Sequence, residues 1–475
     1  MENLLSVGFA RISIKTTVSI LLLVFCMLIL TVTGSDMWQV LSVGIFGILT
    51  IICFRDISKN CFFLFFLISF FIFLMSGDIA ELLFDKHYYL QFGEDATLHA
   101  HKSIFFSLSA ILAGFIISPA RNRHKRSIGN DESFITRLRK TAKVFYIFSF
   151  VFAMINTADI IKFVAAYGYV AYYSSYSSFL PTILVKVGEY VPLALCVFLA
   201  TLPEKKESGF VILSFLFYSA LTILVGSRST VVYNAVFILC YCLYRNHKDK
   251  GREIWISKKA IVYLLLCMPF VFSFLYFYDF IRADREIESV SIIDSVVEFF
   301  VNIGSSSKVI KYGYDYGQQI PKGRFYSLGS TLNYFKYGKL FNLLNSGDIP
   351  ARHTARFALE SHSFGELISY LVMPERYLSG EGTGSSYIAE LFADFGYAGV
   401  ALGSMVYGFV FKRMKDIDGG GWLSMTIKLF IFIPMLSAPR SAYDGFIAQI
   451  LNINHFLYVL LIYMFARYFR LRSKN

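Results

Sequence analysis

Several apolar runs of about 15–20 residues carry no charge at all, and apolar runs alternate with short charged stretches along most of the chain. A segment of that kind inside a bilayer must satisfy every backbone N–H and C=O internally, which leaves the α-helix as its fold. A soluble domain has no core large enough for this sequence, since 56% of its 475 residues are hydrophobic. The pattern predicts an all-α polytopic membrane protein with about twelve spanning helices. They fall near 16–33, 37–53, 61–75, 104–118, 144–164, 182–202, 210–226, 230–244, 260–280, 386–411, 422–436 and 450–466.

Orientation follows from lysine and arginine, which concentrate in cytoplasmic connections. The 119–143 connection holds Arg121, Arg123, Lys125, Arg126, Arg137, Arg139, Lys140 and Lys143, and the 245–259 connection holds Arg245, Lys248, Lys250, Arg252, Lys258 and Lys259. Both are predicted to face the cytoplasm, with both chain termini. The net charge of +12 is thereby read as a topology signal facing anionic lipid and not as a nucleic-acid footprint. The first apolar run lacks a small-residue cleavage site, so it reads as a retained anchor.

Residues 281–385 interrupt the alternation with roughly a hundred mostly polar positions on the external side, a length that is usually functional in a compact protein. The expected organisation is membrane domain 1–280, a large external loop 281–385, and membrane domain 386–475. Within the loop, Ile292, Ile293, Val296, Val297, Phe299, Phe300 and Ile303 oppose Asp294 and Glu298, the pattern of an interfacial helix. A second helix is expected from about Thr354 to Leu371, before Pro374.

With the topology set, several charges stand against the positive-inside trend. Arg228 lies in the Gly226-Ser227-Arg228-Ser229 hairpin, Arg282 and Arg285 open the long loop, and Arg440 lies in Ala438-Pro439-Arg440-Ser441. A guanidinium fork binds phosphate oxygens bidentately, so an external pyrophosphate accounts for them; headgroup contacts account equally well for any one alone. His353, His362, Glu366 and Glu375 are candidate proton acceptors, beside Lys322, Arg324, Arg352 and Arg356. Glu390 falls near the start of an apolar run, where a carboxylate either faces a polar cavity or favours a helix N-terminus. Lys186 and Glu189, three apart, are expected to pair.

Gly380-Glu381-Gly382-Thr383-Gly384 lacks the strand-before, helix-after context of a nucleotide loop, although its N–H groups could face a pyrophosphate. No zinc spacing occurs, and the seven cysteines sit in or beside apolar runs as small packers. Neither a metal nor another cofactor is therefore expected. The tyrosines and serines of 167–178 suit either glycan contact or an aromatic interface belt.

The segment Gly382-Thr383-Gly384-Ser385-Ser386-Tyr387-Ile388-Ala389-Glu390-Leu391-Phe392-Ala393-Asp394-Phe395-Gly396-Tyr397-Ala398-Gly399 resembles the Wzy-type O-antigen polysaccharide polymerases. Gly226-Ser227-Arg228 and Pro439-Arg440-Ser441 are similar to that family as well. The resemblance implies a metal-independent, GT-C-like glycosyltransferase of the bacterial inner membrane. It would move a glycan from one undecaprenyl pyrophosphate onto another lipid-linked repeat unit, with membrane lipid and a chain-length regulator as partners. By position, Arg228 and Arg440 would hold the donor pyrophosphate, with Arg282, Glu390, His353 and His362 completing the candidate site. Two rivals share parts of this pattern. An O-antigen ligase uses the same donor, and a repeat-unit flippase has a similar number of spans but no need of a long external loop.

Overall fold

The computed structural model describes residues 14–84, 92–119, 132–249, 252–282, 291–338 and 349–472. The described residues are helical, without strands. A helix occupies each apolar segment read from the sequence, and among the described residues eight helices are long and apolar enough to cross a membrane. A ninth is gained if the bent pair Gly445–Leu451 and Ile453–Tyr468, inclined at 52°, is one span.

Two sets of polar contacts mark opposite ends of these helices. At one end Asp36 caps the Met37–Phe54 helix, accepting from the N–H groups of Trp38 (2.8 Å) and Gln39 (3.1 Å). His101 bridges Asp36 to Asp78 (3.0 Å), and Lys311 from the long loop pairs with Asp78 at 2.9 Å. At the other end Arg139 bonds Glu207 (2.9 Å) and the Thr201 carbonyl (3.0 Å), Arg245 bonds Asp249 (3.0 Å), and Lys248 pairs with Asp418. The first set unites segments that the charge pattern assigns to the external side, and the second those assigned to the cytoplasm. Short connections alone would not force that sorting.

The core is the crossing of Glu94–Ile117 with Tyr387–Met414. A Cβ on Gly408 would stand 2.2 Å from the Ile111 carbonyl oxygen, so only glycine permits this approach. The Tyr387–Met414 helix departs from the uninterrupted span expected over 386–411. Gly396 adopts φ 62°, ψ −155°, a conformation open essentially to glycine alone. The Tyr387–Phe395 arm then folds back: the rings of Tyr387 and Tyr407 lie 5.1 Å apart, where a straight helix would separate them by about 30 Å. The remaining arm still reaches about 27 Å, close to a hydrocarbon core's thickness.

The predicted loop helix is Ile292–Gly304. It docks on the Ile57–Phe84 span, where a Cβ on Gly304 would meet the Gly77 nitrogen at 2.1 Å. The helix expected over 354–371 is two helices, Ala355–Glu360 and Phe364–Val372. Thr354 caps the first, accepting from Phe357 N–H (3.1 Å), and extended backbone at Ser361 and Ser363 breaks the run. His362 is carried on that break. Lys186 and Glu189 pair as expected, at 2.6 Å, on an exposed face.

Candidate functional site

The hairpin joining Lys205–Leu221 to Arg228–Lys248 is pinned by Asn234 donating to Ser219 Oγ at 2.8 Å. It presents Arg228 at a helix start. The turn before it requires glycine: Gly226 has φ +93°, and a Cβ there would lie 2.0 Å from the Tyr169 ring. Arg440 comes from the far end of the chain, in the short helical turn Ala438–Arg440 after Gly421–Ser437. These two arginines line one cavity of about 490 Å³.

Its other walls are mainly apolar, among them Phe65, Ile68, Ile72, Val232, Phe272, Leu275 and Phe299, with hydroxyls from Ser69, Ser227, Ser229, Ser437 and Ser441. The Ile57–Phe84 span makes a π-helical turn at Phe71–Met75, and this turn places Phe73 beneath the Arg440 guanidinium at 5.8 Å. Arg228 is oriented by donating to the Leu275 carbonyl. Tyr169, from the tyrosine-serine hairpin, reaches the cavity. Two fixed positive charges beside an apolar trough with several hydroxyls suit an amphiphilic anion, and a guanidinium fork grips phosphate oxygens in pairs.

A second cavity of about 580 Å³ lies against the long loop, lined by Ser330, Asn333, Tyr334, Tyr337, Arg352, His362, Glu366 and Glu390 among others. The wall between the cavities is the turn after Arg440: Ser441 lines the first and Ala442 the second. Glu390 is buried and anchors that wall, accepting from Ser385 Oγ (2.6 Å) and from Tyr443 N–H (2.8 Å). Glu390 thus lines the second cavity while cross-linking its wall, where sequence offered either a polar cavity or a helix start. Burial, reinforced by nearby Lys336 and Arg324, holds the His362 imidazole below its ordinary pKa.

The remaining candidates are dispersed. His353 lines neither cavity; its ring packs 5.3 Å from Tyr377, and its φ is 58°. Glu375 is exposed on Pro374–Leu378 and lines neither cavity. The Arg282 side chain, together with Asp284, Arg285 and Glu286, lies outside the described residues. In the glycine segment, Thr383 N–H donates to Ser369 Oγ at 2.9 Å and so does not face a ligand.

Three carboxylates gained roles that sequence reasoning had not given them. Asp444 accepts from Ser330 N–H (3.1 Å) and Thr331 N–H (2.7 Å), capping Gly329–Tyr337 from a distant part of the chain. Asp394 accepts from Tyr326 N–H (2.9 Å) and from Ser327 N–H (2.7 Å), holding the preceding turn. Asp78, just past the run expected over 61–75, is the centre of the His101 and Lys311 contacts, which join segments too far apart for local spacing to show.

The profile of the family described as O-antigen polysaccharide polymerase Wzy matches residues 13–472. The chain belongs to that family: it is a multi-pass membrane protein that polymerises O-antigen repeat units, and the ligase and flippase readings are not favoured. No curated protein and no solved structure matches it.

Proposed function

We propose that the polymerase takes an undecaprenyl-pyrophosphate-linked glycan as donor at the cavity of Arg228 and Arg440, on the periplasmic face of the inner membrane. The observation that carries this reading is that the two arginines, more than two hundred positions apart in sequence, line one largely apolar cavity. The prenyl chain would lie along Phe272, Leu275 and the Ile57–Phe84 span, with its pyrophosphate between the guanidinium groups. As the anomeric carbon–oxygen bond breaks, negative charge grows on the leaving pyrophosphate, and positive groups already in position stabilise it.

No metal is needed in this scheme, because both charges that a divalent ion would supply come from arginine. Glu390 acts through the wall it anchors, as a positioning residue. Arg282 and His353 stay candidates only for contacts at the rim. The proposed topology has about twelve spans, termini in the cytoplasm, residues 281–385 outside as one loop subdomain, and a GT-C-like plan. Lys205–Leu221 and Arg228–Lys248 form a hairpin, so whether they cross fully or partly, the sidedness of later segments is unchanged. A chain-length-regulating protein is the expected partner on the outer face.

Three measurements test the reading. A deletion strain should carry surface glycan with a single repeat and no ladder, restored by the intact chain. Purified protein should polymerise the strain's lipid-linked repeats in excess EDTA; abolition by the chelator would defeat the metal-free scheme. In a cysteine-free background, Lys322→Cys and Glu253→Cys should react with impermeant maleimide from opposite sides, Lys322→Cys from outside. Labelling from the same side would remove the common compartment on which the site depends.

A further inference from the structure

We infer that the cavity against the long loop is a separate acceptor site, holding the terminal sugar of the acceptor repeat unit with His362 as the proton acceptor for its attacking hydroxyl. This rests on the donor reading above.

The two cavities divide the chemistry of a glycosyl transfer between them. Among the described residues, those lining the arginine cavity include no carboxylate and no imidazole, so none of them is a base for a hydroxyl proton. Across the wall the lining changes to amide, phenol, guanidinium, imidazole and carboxylate. Asn333 and Tyr337, one helical turn apart on Gly329–Tyr337, bring a hydrogen-bonding amide and an aromatic ring to the same face. A sugar ring offers the complement, hydroxyls on its rim and C–H groups on its flat side. A cavity of about 580 Å³ accommodates one to a few sugar rings.

His362 is built into this cavity. Its backbone N–H donates to Asn333 Oδ1 at 3.0 Å, and its carbonyl stands where a Cβ on residue 329 would be, 2.1 Å from that position, so Gly329 is required for the fit. The Phe325 backbone lies beside the ring, and the buried Nδ1 has no hydrogen-bond partner among the described residues. The low pKa of this imidazole keeps it neutral at physiological pH, as a base must be before reaction. Glu366 also lines the cavity, but the Tyr377 phenol faces it.

The step balances without a further reactant. The acceptor hydroxyl oxygen forms a bond to the donor's anomeric carbon as the bond from that carbon to the pyrophosphate oxygen breaks. The electron pair leaves with undecaprenyl pyrophosphate, and the hydroxyl proton passes to His362, which returns it to water.

The test exploits a probe that can only accept. A repeat-unit oligosaccharide released from its lipid has no activated bond, so it cannot serve as donor. Purified full-length protein is given the strain's lipid-linked repeats as donor with the released oligosaccharide as acceptor, and binding of sugar-free undecaprenyl pyrophosphate is measured separately. Asn333→Ala and Tyr337→Ala should raise the KM for the released acceptor about tenfold while leaving undecaprenyl pyrophosphate binding unchanged. His362→Gln should lower kcat about 100-fold or more at saturating acceptor, with both affinities retained.

The wild-type rate should fall as pH drops through the lowered His362 pKa, and His362→Gln should lose that acidic limb. Lys336, Arg324 and Asp394 are the charged groups facing the ring, so Asp394 is kept intact in this comparison. Wild-type kcat in His362→Gln, or Glu366→Gln alone removing the acidic limb, would overturn the assignment of the base. Weakened undecaprenyl pyrophosphate binding in Asn333→Ala and Tyr337→Ala would make this cavity part of the donor site. Failure of the donor reading looks different: Arg228→Ala and Arg440→Ala would then bind undecaprenyl pyrophosphate normally, whatever the acceptor results.

Discussion

The cavity of Arg228 and Arg440 and the cavity beside it share the turn after Arg440, yet they are made from different material. The first is cut into long, largely apolar helices, Ile57–Phe84, Arg228–Lys248 and Lys258–Arg282, and its few polar groups stand out against apolar walls. The second is roofed by short loop helices, Gly329–Tyr337, Ala355–Glu360 and Phe364–Val372, and mixes many polar groups with a few apolar ones such as Ile349, Pro350 and Phe357. A lipid environment selects the first composition almost regardless of activity, so what is informative there is the charge that persists. In the second, water already permits polar residues, so only their convergence carries meaning.

The largest expected effect sharpens this contrast. Arg228→Ala and Arg440→Ala should each lower polymerisation about 100-fold or more at near-normal abundance, and lysine should restore little, since it keeps the charge but loses the paired donors. Arg252→Ala, at the opposite polar end, is the control for insertion. Equal loss of polymer in that control would mean that arginine removal acts through folding. Next comes the folded-back arm that carries Glu390 to the second cavity: Gly396→Ala forces a side chain into φ 62°, and should cost about 1–3 kcal/mol, read as a lower melting temperature in detergent.

Glu390→Gln keeps the shape of the wall but replaces one of two accepting oxygens with an NH2 group, so about 1–3 kcal/mol of stability should go with part of the activity. Retention of both would return the wall to packing alone. The smallest effect belongs to Tyr169→Phe, which leaves the ring over Gly226 and should change activity less than about threefold, whereas Tyr169→Ala opens the arginine cavity and should raise the donor KM.

Much of the membrane part was legible in one dimension. Arg228 and Arg440 were identifiable because arginine against the orientation rule is costly wherever it occurs, and the Ile292–Gly304 helix was visible from its period. The second cavity was not, for definite reasons. His362 and His353 look alike in sequence, and what separates them is a helix broken at Ser361–Ser363, which local propensity did not reveal. Asp444 caps a helix more than a hundred positions away, a relation no local spacing can express. Gly396 read as an ordinary residue of an apolar run, since the fold-back depends on the crossing with Glu94–Ile117.

The folded-back arm also has a bearing on how the protein is made. Glu390 and Asp394 ride on a segment that leaves the ribosome before its partner at Tyr443, and the last wall of both cavities arrives with residues 438–444. During synthesis the arm has no complete place to settle, and its carboxylate lacks one of its two donors until the penultimate helix is in the membrane. Both cavities therefore close only late in synthesis, and a chain cut short after Ser437 should be recognised by membrane proteases as unfinished, although most of its apolar helices are already made.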